Sequence, residues 1–404
     1  MAPADKGVAG RRAIHLLALS RAASASGGIA AYTALSYVVY VRTGSSVWVA
    51  ASVLATFGIA GFVSPLAGMA VDRFDRRRLM IVSDLAALLA ALAMAFVGDT
   101  PALILLALIG SVCETPFFPA SSAAVGQLVD DAMLPWANGL IVAGRSVGTL
   151  AGPVIAGVLL GAAGASAVFF ANAVSFAASA ALVTAIRGDL RPPSRAPHGS
   201  VRELIAGFVV IGRDGVIRAI VVAEIGLLAS MGAGVTTDAP YVRTVLGGGP
   251  LVYAALITAW GIGEIAAGIA ARRYPATTGI RLDLLAFAGA ICAVAACWLV
   301  GAALPVVAVV VAIQLLGGAG AAAAFAIRQT LLQRRAPPEL AGRVFAAADT
   351  LLDAGQLVGV TIAGLAAGVL GARGSYAIAG TLALIGAATV ARRARSTEPE
   401  IAAA

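Results

Sequence analysis

Charge is scarce in this sequence. Only 12% of its 404 residues are Asp, Glu, Lys or Arg, against roughly 25% in soluble globular domains. That leaves too little polar surface to cover a water-soluble body. Histidine is nearly absent: there are only His15 and His198, both peripheral. No H-E-x-x-H, C-x-x-C or P-loop string occurs. Metal-assisted, nucleotide-driven and acyl-enzyme chemistry therefore lack their usual parts, and no enzymatic activity, metal or cofactor is expected. The three cysteines, Cys113, Cys292 and Cys297, all fall inside apolar runs. This excludes a disulfide framework and predicts buried free thiols. A cleavable signal is not expected either. Lys6, Arg11 and Arg12 precede an apolar stretch far longer than a signal core, with no small-residue cleavage pattern after it.

What the chain has in abundance is apolar sequence. Hydrophobic residues make up 60% and the mean hydropathy is +0.95. They come in runs that match a hydrocarbon core of roughly 30 Å at about 1.5 Å rise per residue. The runs lack the period-two alternation of membrane barrels, so helices are the expected spans. Twelve spans are predicted, at about 14–40, 46–70, 78–98, 101–126, 136–160, 165–186, 216–238, 250–271, 281–300, 304–327, 344–370 and 375–391. The fold class is therefore an all-α membrane protein of two pseudo-symmetric six-helix bundles, residues 1–187 and 216–404. Residues 188–215 form a cytoplasmic linker with a short amphipathic segment, VRELIAGFVVIGRDG.

The net charge of +8 is topological and does not imply nucleic-acid binding. With the N-terminus in the cytoplasm, the outer loops carry only Arg42, Arg243 and Arg373, while Arg21, Arg145 and Arg328 lie within spans. Of 28 lysines and arginines, 22 are then left for the cytoplasmic side. That asymmetry follows the positive-inside rule and places both termini in the cytoplasm of a cell-membrane protein. The halves also echo each other. Gly148, Gly152, Gly157, Gly161 and Gly164 recur as Gly355, Gly359, Gly364, Gly368 and Gly371 at a constant offset of 207. Parallel repeats of this kind mark a transporter with a site between its halves.

Two strings carry more than topology. The loop between spans two and three reads GMAVDRFDRRR, with Gly68, Asp72, Arg73, Arg76, Arg77 and Arg78. Gly68 permits close helix approach. Asp72 stands where it can pair with the arginines or face a helix N-terminus, a charge lock able to hold one conformation and break in another. Span five contains GTLAGPVIAG, with Gly148, Gly152, Pro153 and Gly157. There the proline bends the helix and the glycines let it press on a neighbour.

The first string resembles motif A of the major facilitator superfamily, departing where Asp75 replaces a glycine. The second is similar to motif C of that superfamily's antiporters, with Ala156 in place of one glycine. The strings SPLAGMAVDRFDRRRLMIVSDL, ETPFFPASSAAVGQLV, ANGLIVAGRSVGTLAGP and RQTLLQRRAPPELAGRV are similar to the branch that includes macrolide efflux pumps and the enterobactin exporter. The resemblance implies twelve helices, a rocker-switch cycle and export against proton entry. It does not identify the substrate. Ser121 and Ser122 stand where that branch implies a basic residue, and ARRYPATTGIR between spans eight and nine lacks the acid of motif A.

Ionisable residues inside spans are functional candidates because burying them is costly. Asp84, Glu114, Glu224, Glu264, Asp349 and Asp353 are the acids. Asp84 and the Asp349/Asp353 pair lie near cytoplasmic ends and read as structural partners, the pair meeting Arg343, Arg76 or Arg77. Glu114, just before Pro116, and Glu224 lie deeper. A carboxylate there can hold a proton and release it when its surroundings hydrate, or else contact substrate or sit silently hydrogen-bonded. Glu264 is a further candidate. Arg21 either meets an anionic substrate group, tunes a neighbouring acid or snorkels to the surface. Tyr32, Tyr37 and Tyr40 either line a cavity or mark the outer interface. The expected function is proton-coupled export of an amphipathic small molecule by a monomer in a lipid bilayer. Nutrient uptake and a non-transporting sensor are the alternatives.

Overall fold

The structure, a computed structural model, describes residues 3–58, 63, 66–67, 69–71, 73–130, 133–187, 190–191, 201–271, 279–337 and 340–396. The chain begins with α1 (Pro3–Thr43) and α2 (Ser46–Val53), the latter running into a π-helical turn at Leu54–Gly58. Then come α3 (Arg76–Phe96), α4 (Thr100–Glu114), α5 (Phe117–Leu128), α6 (Leu134–Ala163) and α7 (Ala165–Thr184). After the linker helix α8 (Val201–Arg213) follow α9 (Gly215–Thr244), α10 (Pro250–Ala271), α11 (Ile280–Ala303), α12 (Val307–Arg335) and α13 (Ala341–Ser396). Aspartates start several of them. Asp75 accepts from the Arg78 backbone N–H, Asp99 from that of Ala102, and Asp214 from those of Val216 and Ile217, each satisfying donors that a helix N-terminus leaves free. Asp75, the departure from motif A, therefore serves as a helix cap.

Among the described residues, nine helices are long and apolar enough to cross a membrane. One of them, Arg343–Ser396, carries the last two expected spans, because its backbone breaks at Gly371. The other expected spans are α1 and 46–70, and the second of these runs past the described residues. The all-α class stands. Large side chains turned outward also fit a hydrocarbon surround: Phe96 is 80% and Val369 86% exposed, and many valines and leucines join them.

The chain forms two compact units, Met1–Thr43 with Ala51–Pro197 and Gly44–Ala50 with His198–Ala404. In the first, Ile14, Leu17, Met80, Phe117 and Val183 form a buried core at the arginine-rich end. In the second, Ile217, Val221, Leu332 and Val344 do the same beneath α8.

The expected span four stands as one crossing, Thr100–Leu128, interrupted where α4 stops at Glu114 and α5 starts at Phe117, since Pro116 has no N–H to carry the ladder through. Two expectations need correction. Span seven does not stop at residue 238. Despite Pro240, α9 runs on to Thr244, with the hydroxyls of Thr236, Thr237 and Thr244 donating to carbonyls four residues back. Of the three free thiols only Cys297 is buried, while Cys113 is half-buried and Cys292 exposed. An apolar run does not by itself separate core-facing from lipid-facing positions.

Candidate functional site

In the first unit the break at Thr115–Pro116 creates the polar centre. It leaves Glu114 as the last residue of α4 and sets Phe117 and Phe118 at the start of α5. Ser24 on α1 donates its hydroxyl to Glu114 Oε1 at 3.2 Å. One helical turn earlier on the same face, the Arg21 guanidinium carbon lies 4.9 Å from the Phe118 ring centroid and 5.6 Å from that of Phe117, within cation–π range. Glu114, Asp84 on α3 and Arg145 on α6 all act on Arg21 electrostatically. Asp84 is fully buried. The structure thus gathers two expected candidates, Arg21 and Glu114, with Arg145 and Asp84 as their charged neighbours.

The second unit gathers a different set. Glu224 on α9 is 0% exposed. Arg328 on α12 reaches Glu224 Oε2 with Nε at 3.1 Å and Asp349 Oδ1 on α13 with Nη1 at 3.0 Å. The Asp349 side chain is 58% exposed, so one guanidinium joins a buried carboxylate to an open one. This corrects the partner expected for Asp349. Arg328 passed in the sequence as one more in-span cation, and nothing in the chain order tied it to Glu224. Glu264 on α10 accepts from the Trp260 indole one turn before it, at 2.8 Å.

The two sets differ in charge balance: Arg21 and Arg145 match Asp84 and Glu114 in the first, whereas Glu224 and Asp349 outnumber Arg328 in the second. Spans one, four and five bring Arg21, Glu114 and Arg145, and spans seven, ten and eleven bring Glu224, Arg328 and Asp349.

Sequence reading missed two buried acids, Asp283 in the first turn of α11, which Arg334 meets at 3.3 Å, and Asp238. Asp238 is the last residue of the expected span seven and lies inside α9, which continues past it to Thr244. Tyr376 donates its hydroxyl to Asp238 Oδ1 at 2.6 Å and stacks on Tyr241 with centroids 4.1 Å apart. Trp298 covers Tyr376. The polar run TTDAP straddles the expected end of span seven, and the helix carries it on past Pro240.

Of the motif A string, Gly68 and Asp72 lie outside the described residues. Arg73 is exposed, and Arg76 is buried and donates to the Ala123 carbonyl at 3.0 Å. Arg77 follows it in α3. In the motif C string, Gly148 and Gly152 press on α1 at Ala22, Ser26 and Ile29, and Pro153 and Gly157 are buried within α6. Residues 144–148 of that helix, GRSVG, do fit the G-x-S-x-G pattern, contrary to the expectation that acyl-enzyme parts are wanting. They lie inside continuous α6, however, whereas the nucleophile elbow needs a strand-to-helix turn.

The family model described as the Major Facilitator Superfamily matches residues 17–359. A stretch of 121 residues is 26% identical to the uncharacterized MFS-type transporter YfiS of Bacillus subtilis (strain 168), covering 30% of this chain and 29% of that protein. Among solved structures, a bacterial homolog to the human lysosomal transporter Spinster superposes with a TM-score of 0.72 at 14% identity, covering 95% of this chain and 97% of that one. The nucleoside transporter NupG gives 0.72 at 13%, covering 94% and 98%. A POT family transporter gives 0.72 at 11%, covering 93% and 94%. At these identities the likenesses show the fold.

Proposed function

The chain belongs to the Major Facilitator Superfamily, which makes it a multi-pass secondary transporter of a small molecule, and we propose that it exports an amphipathic substrate in exchange for protons. The observation that carries this reading is Glu224, wholly enclosed and tied to an arginine that also holds the open Asp349. A proton arriving at Glu224 neutralises it and leaves Arg328 to Asp349. Loss of that proton draws the guanidinium back to Glu224. The exchange couples proton occupancy to the packing of α9, α12 and α13, the kind of differential interaction an alternating-access cycle requires. Glu114, held by Ser24 beside Arg21, is the corresponding acid of the first unit. Export over uptake is supported by the GTLAGPVIAG string and by similarity to the macrolide-efflux and enterobactin-exporter branch. The setting proposed is the cell membrane, with cytoplasmic termini and a monomer as the working unit.

Proteoliposomes with an imposed pH gradient test this, using ethidium and a macrolide as probes. Glu224→Gln, Glu114→Gln and the double variant are compared with the parent. The double variant is expected to lose uphill export while keeping downhill exchange. Uphill export at the parent rate in all three would show that neither acid carries the proton.

A further inference from the structure

The second unit contains a cavity of about 490 Å³ beside the linker helix. Ala206, Val210, Ile217 and Leu340 form apolar walls, and Arg213 and Arg335 stand at its polar end. The cavity lies where α8 ends, α9 begins and α12 stops, at the level where membrane spans give way to water. Helix α8 is fastened on one face. Gly207 sits directly against the Arg343 carbonyl on α13, and Ile211 is buried with Leu332 and Val344. On the other side Phe208 and Val209 are 39% and 42% exposed, and Val209 also lines the cavity. A helix with exposed apolar side chains beside arginines at this level lies in the membrane interface.

The charges fit one kind of occupant. Asp214 is already committed: its carboxylate accepts from two backbone N–H groups and from Arg335 Nε at 2.8 Å. Arg335 keeps its terminal nitrogens, and the Arg213 guanidinium has no hydrogen-bond or ion-pair partner among the described residues. Two guanidinium groups against one engaged carboxylate give a cationic end to an apolar recess. A free inorganic anion would leave the walls empty, and a neutral lipid would leave the arginines unused. We propose that this cavity binds the headgroup and glycerol region of an anionic phospholipid from the surrounding leaflet, tethering the linker helix to the bundle. Basic recesses at the ends of membrane helices suit such headgroups.

The test uses the purified full chain in detergent, titrated with phosphatidylglycerol or phosphatidylcholine of identical acyl chains and read by native mass spectrometry. The wild type is expected to retain phosphatidylglycerol in preference. Arg213→Gln should cut that preference roughly fivefold, the change expected for one basic side chain at an anionic lipid surface. Arg213→Lys should keep most of it, and Ala206→Leu, which fills the recess, should lower retention without altering charge. Excess glycerol phosphate should not displace the lipid. Equal retention of both lipids, no retention of either, or an unchanged preference in Arg213→Gln would overturn the proposal. Displacement by glycerol phosphate at matched concentration would make this a site for soluble anions and overturn it equally.

Discussion

Arg328 is ion-paired with two carboxylates of very unequal exposure, and the consequences of removing it follow from that inequality. Arg328→Gln strands Glu224 in an interior with no other ion-pair partner among the described residues. Breaking a buried pair from one side typically costs about 3–5 kcal/mol, because the remaining charge has no compensation. Glu224→Gln also in place removes that charge, so the double variant should regain much of the loss. Thermal unfolding in detergent reads both effects, and a double variant no more stable than Arg328→Gln would show that the pair is not the source. Asp214 differs in being only partly enclosed and outside the spans. Burial pushes its carboxyl up, but the Ile217 N–H, Arg335 and the Val216 N–H outweigh that and hold it below the ordinary carboxylate value. A depressed folded value gives stability that is complete above the unfolded pKa and lost as pH falls through the folded one. Asp214→Ala should therefore cost about 0.5–2 kcal/mol near neutrality, as for a lost N-cap. The gap between variant and wild type should close as the pH is lowered into the acid range. A gap of constant size would mean that Asp214 contributes by packing and not by charge.

At the scale of helices, the glycine repeat divides into positions that pack and positions that do not. Gly359 lies against the Ala229 carbonyl on α9, where an added Cβ would overlap the oxygen, and Gly355 meets Ile225. Gly148 and Gly152 meet α1 in the same manner. Gly161 and Gly368, the fourth pair, have nothing within 4 Å of where a Cβ would stand. The fifth pair, Gly164 and Gly371, shares a backbone feature: φ is +79° and +65°, where a side chain would strain the chain, and each separates two helical segments. Gly359→Ala should thus destabilise by about 1–3 kcal/mol, the usual cost of overpacking, while Gly368→Ala should be neutral or slightly stabilising. Equal unfolding midpoints for the two variants would contradict the close approach of α9 and α13. This repeat was legible in the sequence because it rests on spacing alone. The prolines were not, since three of them in apolar runs behave in two ways: Pro116 separates two helices, whereas Pro153 and Pro240 are carried inside α6 and α9. Neighbouring side chains decide whether the freed carbonyls are satisfied, and a linear string does not display them. For the same reason Glu114 and Arg21 could be chosen as in-span charges, whereas the pairing of Arg328 with Glu224 and the depth of Asp238 needed three dimensions.

Across the whole molecule, the placement of cations makes the orientation testable, and the exceptions to the rule have local explanations. Arg42 donates to the Gly98 carbonyl just after α3, and Arg373 donates to the carbonyls of Ala302 and Ala303 where α11 ends. Arg373 thus serves carbonyls that a helix C-terminus leaves without partners, and Arg42 the turn just beyond one, favourable places for a cation. Toward the opposite ends of the helices, arginines make ion pairs instead: Arg335 with Asp214 at 2.8 Å and Arg334 with Asp283 at 3.3 Å. The remaining arginines cluster in the connectors assigned to the cytoplasm, and turning the chain over would carry most of them across the bilayer, at about 2.5–3.5 kcal/mol for each one placed at a helix centre on insertion scales. Reporter fusions after Arg77, Pro193 and Arg393 should accordingly all give a cytoplasmic signal, and one after Gly248, in the connector between α9 and α10, an external one. The fusion at Pro193 discriminates best. It falls after six predicted spans, so an external signal there would require an odd number before it and would dismantle the six-plus-six map, whatever the other three reporters gave.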